Sequence, residues 1–231
     1  MALVGGMVVV ICATGVAIDL LRHAGVAGFR TADSTGSVLV LTLGQDGTPI
    51  LAGILFLMAH GIGWREISGL NTMRFSQQVL RVIVALAVAV PAMVVLKVLS
   101  TLALQKIGWP VEDQRAVELI LAAKSTGMKI YFGIFAVVIA PLAEEFIFRG
   151  LLFSGFKKAG WPKCGWVIVS LLFAAIHANA PIFLPLFVFA LALTWLYETT
   201  EGLLAPVMAH GIFNAGNLAI IFIAEKLDLF K

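Results

Sequence analysis

The stretch IYFGIFAVVIAPLAEEFIFRGLLFSGF, residues 130–156, places three charged side chains inside a long apolar run. They are Glu144, Glu145 and Arg149. The run is longer than the roughly 20 residues that a helix needs to cross a hydrocarbon core of about 30 Å. Charged groups inside a spanning helix are costly, and by default they mark a functional site. The stretch therefore predicts a transmembrane helix that brings ionisable groups to such a site.

The composition of the whole chain supports a membrane setting. Hydrophobic residues make up 61% of the 231 residues and charged residues only 13%, about half of the roughly 25% that is usual in a soluble domain. So few charges cannot cover the surface of a soluble enzyme. A net charge of +3 is too small for a surface that follows nucleic-acid phosphates. We therefore expect an integral, multi-pass membrane protein whose surroundings are lipid, with no nucleic-acid partner.

Further apolar stretches occur along the chain. Short polar segments separate them, and there is no internal repeat. The predicted spans are Leu3–Leu21, Pro49–Gly63 (or a broken helix from Ser37), Val79–Leu104, Ile130–Phe156, Gly165–Ala178, Ile182–Tyr197 and Leu203–Ala224. This gives seven segments, or eight if the second is split or if residues 105–129 contribute one. The predicted fold is an all-α polytopic transmembrane bundle of about seven to eight hydrophobic helices with an internal polar cavity.

We expect one integral membrane domain over residues 1–231. Residues 1–104 are predicted to supply spans without diagnostic motifs, and residues 130–224 the core helices that carry the site. Gly165–Ala178 is short for a full crossing, but a helix can end at mid-depth where it lines a cavity. Lysine and arginine do not alternate between successive connections, so the orientation in the membrane stays open.

Helical geometry assigns a partner to each charge on the first stretch. Glu145 and Arg149 are four residues apart, share a face and can pair. Glu144 lies about 140° away from Arg149 around the helix, at about 100° per residue. Glu145 is therefore the predicted partner of Arg149, and Glu144 points elsewhere.

Two later helices carry the remaining strongly polar groups. Phe173 and His177 are four residues apart at the end of the short helix, and His210 and Asn214 are four apart in the last span. A buried glutamate beside an imidazole suits a general base that acts on water. Taken singly, the pairs also fit a structural ion pair or hydrogen bonds between helices, and Phe173 fits plain packing.

Jointly the three patterns are more specific. Glu-Glu-x-x-x-Arg at 144–149, Phe-x-x-x-His at 173–177 and His-x-x-x-Asn at 210–214 follow one another on separate hydrophobic segments. The chain in this respect resembles the CPBP family, the CAAX protease and bacteriocin-processing group of intramembrane endopeptidases, which includes the CAAX prenyl endopeptidases. The resemblance covers about Ile130–Ala224 in organisation and three short motifs in detail.

The resemblance implies a role for each motif residue. Glu144 would activate water with help from His177, and Phe173 would pack beside that histidine. Glu145 and Arg149 would support the motif helix. His210 and Asn214 would stabilise the oxyanion of the tetrahedral intermediate, as donors placed where charge develops.

The resemblance favours a glutamate-and-water mechanism with no cofactor and no metal. Two histidines, a glutamate and an asparagine would also suit Zn²⁺ with a bound water, so zinc is the alternative. The His-Glu-x-x-His pattern of zinc proteases is absent from the sequence.

The expected activity is hydrolysis of a peptide bond near the membrane plane. Candidate substrates are membrane-delivered proteins or peptides, such as a prenylated CAAX tail, a C-terminal sorting signal or a bacteriocin-type leader. Small size and short loops favour a prokaryotic cell membrane. The alternative function is a proton-coupled transporter or a non-catalytic membrane chaperone, because transporters also use buried Glu, His and Arg. Transporters commonly have related halves, which this sequence lacks.

Overall fold

The computed structural model describes residues 19–26, 47–61, 63–111, 117, 120, 121, 123 and 125–228 of the chain. Regular secondary structure in this described part is entirely helical, which confirms the all-α prediction. We number its helices in chain order as α1 Thr48–His60, α2 Trp64–Ile67, α3 Phe75–Lys106, α4 Thr126–Lys158, α5 Pro162–Ile176, α6 Ala180–Thr200 and α7 Leu204–Lys226.

Four of these helices, α3, α4, α6 and α7, are long and apolar enough to cross a membrane, and α5 is a shorter apolar helix. The chain is therefore a multi-pass integral membrane protein. The last five predicted spans correspond to α3 through α7, with boundaries that differ by a few residues.

The expected total of seven or eight segments stays a prediction, as does the internal polar cavity. Most of Leu3–Leu21 and the arm that begins at Ser37 lie outside the described residues, as does much of the connection between α3 and α4.

The surface of α3 shows how the bundle meets lipid. Val88 is 70% exposed, and eight further large aliphatic side chains of this helix are also exposed: Leu80, Ile83, Val84, Val94, Val95, Val98, Leu99 and Leu102. A continuous apolar surface of this kind is a liability in water but suits acyl chains. The opposite face of α3 packs against α6 and α7.

The turn between α5 and α6 places His177 at the inner end of a short helix. Ala178 has a positive φ of 47°, which costs energy for a residue other than glycine. Asn179 is extended, and α6 then begins with a proline in its first turn, where a missing N–H does no harm. The prediction of a short helix that ends at the histidine is confirmed.

The start of α7 is fixed by a close contact between two loops. Gly69 and Gly202 approach so tightly that a Cβ on Gly202 would lie 2.2 Å from the Gly69 nitrogen. The Leu203 N–H donates to Ile67 O at 2.7 Å across the same junction. This backbone contact sets where α7 begins, and so it sets the level of His210 further along the same helix.

The main core lies between α3, α5, α6, α7 and the second half of α4. Its largest fully buried apolar side chains are Phe153, Phe173, Phe189, Leu193 and Leu196. Glu145, Arg149 and His210 are buried within the same region. These three polar side chains are thus part of the packed interior.

Candidate active site

The helix that carries the two glutamates is not a uniform α-helix. Within α4, Phe135–Ile139 and Phe146–Phe153 are π-helical, and the α-helical segment Ala140–Glu145 lies between them. Such interruptions are rare and often occur at functional sites. Glu144 and Glu145 end the middle segment, so both carboxylates stand at the junction of two helical registers.

Glu145 and Arg149 form a fully buried ion pair. Arg149 Nη1 lies 3.0 Å from each oxygen of Glu145, and both side chains are inaccessible to solvent. Arg149 Nη2 donates to Ala190 O on α6 at 2.8 Å, and the guanidinium lies over the Phe173 ring at 5.0 Å. The predicted pairing of Glu145 with Arg149 is confirmed. The pair joins α4 to α5 and α6.

Glu145 also holds His210, a contact between α4 and α7 that the sequence did not indicate. His210 Nδ1 lies 2.9 Å from Glu145 Oε1, and since an ionised carboxylate only accepts, the nitrogen carries the proton. The imidazole meets the rings of Phe173 and Phe189 at centroid distances of 5.7 and 5.5 Å with steep interplanar angles. Its Nε2 is therefore the ring atom that faces the rest of the site.

Glu144 occupies a different environment from its neighbour. Its side chain is 21% exposed, whereas that of Glu145 is 0% exposed. Glu144 Oε2 lies 3.9 Å from His210 Nε2, which is too long for a direct hydrogen bond. The predicted divergence of the two carboxylates is confirmed. Glu144 is the one whose side chain is partly exposed, although its Oε2 is buried.

His177 and Phe173 lie on the opposite wall, contributed by α5. The Nδ1–H of His177 donates to Phe173 O at 2.8 Å, so its Nε2 is left to accept a proton. The Phe173 ring contacts both imidazoles, at 5.0 Å from His177 and 5.7 Å from His210. The two histidines are close enough to interact electrostatically. Phe173 thus packs beside His177 as expected, and it also separates the two rings.

Asn214 lies one turn after His210 on α7. Its Nδ2 donates to Ala136 O of α4 at 2.8 Å, and the side chain is partly buried. The residues from three helices that the sequence singled out are therefore in one region. The sequence did not indicate the backbone partners, Ala136 O and Ala190 O, because a motif carries no information on carbonyls of other helices.

In the described part of the chain, no group of three or more His, Cys, Asp and Glu side chains is arranged to hold a metal ion. Of the residues considered as Zn²⁺ ligands, His177 and His210 each use Nδ1 in a hydrogen bond to a protein acceptor. Only Nε2 of each ring is therefore left to bind a metal.

A comparison with protein-family models matches residues 126–216 to the family described as Rce1-like, type II CAAX prenyl endopeptidase Rce1-like. The match begins at the first residue of α4 and includes all three motifs. The chain carries a domain of this family. The CPBP resemblance is thereby confirmed. No curated protein and no solved structure matches the chain.

The Rce1-like domain defines the class of activity. The family is one of glutamic-type intramembrane proteases, and the match over residues 126–216 assigns the chain to this class of enzyme. A protein or peptide is therefore its class of substrate.

Proposed function

We propose that the chain hydrolyses a peptide bond of a membrane-associated protein by means of a water molecule that Glu144 activates. The contrast between the two adjacent glutamates carries this proposal. Glu145 is buried and bound on both sides by Arg149 and His210. Glu144, beside it, keeps 21% of its side chain exposed and lies 3.9 Å from His210 Nε2. Of the two glutamates, only Glu144 has a partly exposed side chain, and a general base must be able to reach the water that it activates.

His177 would assist the base. Because its Nδ1–H is donated to Phe173 O, the free lone pair on Nε2 can accept or relay a proton from the same water. A base held in the right tautomer by a backbone carbonyl needs no rearrangement during the reaction.

His210 would stabilise the oxyanion through Nε2–H. Since Nδ1–H is already donated to Glu145, this role requires the imidazolium form. Asn214 is the second predicted oxyanion donor. One of its two amide N–H bonds is committed to Ala136 O, so only the other is left for substrate.

The proposed substrate is a peptide delivered from the membrane. Prenylated CAAX tails, C-terminal sorting signals and leader peptides remain the candidates, and a prokaryotic cell membrane the proposed setting. The spans before residue 105 would act as scaffold, because α3 packs against α6 and α7 behind the site.

The test of this function is the variant Glu144→Gln, which keeps the shape of the side chain and removes the base. Purified protein in detergent or liposomes is incubated with lipidated and leader peptides, and the products are mapped by mass spectrometry. We expect cleavage to fall by at least about a hundredfold, the lower end for a positioned acid–base group. Glu66→Gln on α2, an exposed glutamate, is the matched control and should cleave like the parent. Parent-rate cleavage by Glu144→Gln would refute the assignment.

A second measurement addresses zinc. Under the glutamate-and-water mechanism, strong chelators should leave the cleavage rate unchanged, because the site residues themselves activate the water. Loss of activity that added Zn²⁺ restores would instead assign Glu144 and the histidines as metal ligands.

A further inference from the structure

The hydrogen-bond pattern of α4 has a gap at Pro141, three residues before Glu144. The Ala140 N–H donates to Phe135 O, five residues earlier, in the pattern of the π-helical segment. The next carbonyl in this pattern is Ala136 O, and its partner would be the N–H of residue 141. Proline has no N–H. The helix therefore cannot satisfy this carbonyl from its own backbone.

Asn214 supplies the missing donor from another helix. Its Nδ2 lies 2.8 Å from Ala136 O. One turn earlier on α7, Gly211 lies against the following carbonyl of α4, and a Cβ at this position would be 2.6 Å from Val137 O. The backbones of α4 and α7 approach each other closely beside the gap. Inside a membrane bundle, an unsatisfied carbonyl is costly, so this approach has a clear energetic reason.

We propose that Asn214 is a positioning residue for Glu144. Its side-chain amide replaces the N–H that Pro141 lacks, and the bond holds the segment Ala140–Glu145 in place against α7. His210 is one turn from Asn214 on the same helix. This one hydrogen bond thus fixes the position of both glutamates along the axis of α7 relative to the imidazole. It thereby also fixes the distance of 3.9 Å between Glu144 Oε2 and His210 Nε2. This inference rests on the proposed function. It gives the Asn214 N–H that faces α4 a structural task, whereas the proposed oxyanion role belongs to the other N–H of the same amide.

A double-mutant cycle between positions 141 and 214 tests the proposal. Pro141→Ala restores a backbone N–H that can reach Ala136 O, so it should make the Asn214 N–H that faces α4 dispensable. We expect Asn214→Ala alone to lower kcat by about a hundredfold, the effect of a displacement of about 1 Å in a catalytic group, with KM unchanged. In the Pro141→Ala background, the same substitution should lower kcat at least about tenfold less than it does in the parent, because only the N–H proposed for the oxyanion is then lost.

Thermal unfolding of the same four proteins gives a readout that is independent of cleavage. Asn214→Ala should lower the Tm by about 2–4 °C when Pro141 is present, as expected for the loss of one hydrogen bond in a protein of this size. It should have little effect in the Pro141→Ala background. Asn214→Leu, which has a similar size and no donor, is a second variant that should show the same dependence on the residue at position 141.

Pro91→Ala is the matched control, because Pro91 also lies inside a spanning helix but on the exposed surface of α3. It should not rescue Asn214→Ala. An equal loss of kcat in both backgrounds would show that Asn214 acts directly on substrate, and would overturn the proposal. The proposal would also be overturned if the Tm values showed coupling but Asn214→Ala kept the kcat of the parent. If the parent cleaves nothing, the proposed function fails. Absence of coupling in Tm between positions 141 and 214 separately refutes the proposal that the Asn214–Ala136 bond replaces the missing N–H of Pro141.

Discussion

Glu144 and Glu145 show how two identical side chains acquire different properties from their surroundings. Glu145 is fully buried, and it is bound to Arg149 on its own helix and to His210 on α7. Glu144, the preceding residue, has a side chain that is partly exposed. Burial with two charged partners makes Glu145 part of the framework, whereas access makes Glu144 the candidate for chemistry.

This difference predicts opposite effects on stability. Glu145→Gln leaves Arg149 buried without a counter-charge, and we expect a loss of about 3–5 kcal/mol, as for other buried pairs that lose one partner. Glu144→Gln should change stability far less, because its side chain is not enclosed. Thermal or denaturant unfolding in detergent measures both. A similar stability for the two variants would contradict the division of roles.

The helices around the site deviate from regular geometry where they meet. The two π-helical segments of α4 flank its glutamates, and α7 has a glycine where it crosses the first of them. The sequence predicted that these stretches are helical but not that the helical register changes within one of them. A single proline is a weak signal, since helices in membranes often tolerate proline.

Because α4 and α7 cross closely, substitution by alanine should have opposite outcomes at two glycines of α7. Gly211→Ala would place a methyl group 2.6 Å from Val137 O. The helices must then separate, at a cost of about 1–3 kcal/mol and with a loss of cleavage. Gly216→Ala meets nothing within 4 Å and should be neutral or stabilising by up to about 1 kcal/mol. Unfolding and cleavage assays on both variants measure the effect, and a harmless Gly211→Ala would show that close approach is unnecessary.

Across the whole molecule, lipid contact and polar chemistry are separated. The outward face of α3 is mostly apolar, although Lys97 on it is exposed. The carboxylates, imidazoles and guanidinium of the site face inward between α4, α5, α6 and α7. The loops near Gly69 and Gly202 then fix the start of α7. This arrangement lets a site with several charges persist inside an apolar bundle, since each buried charge has partners on another helix.

The sequence by itself determined the membrane class and the helical fold, and it predicted the candidate site residues. Composition, length of apolar runs and placement of charges depend only on the order of residues. It also determined the Glu145–Arg149 pair, because both partners lie on one helix and the helical period relates them. The His210–Glu145 bond, the Asn214–Ala136 bond and the Arg149–Ala190 bond were decided only by tertiary structure. Each of the three joins two helices, and the relative height and rotation of two packed helices depend on backbone contacts that no single-helix pattern contains.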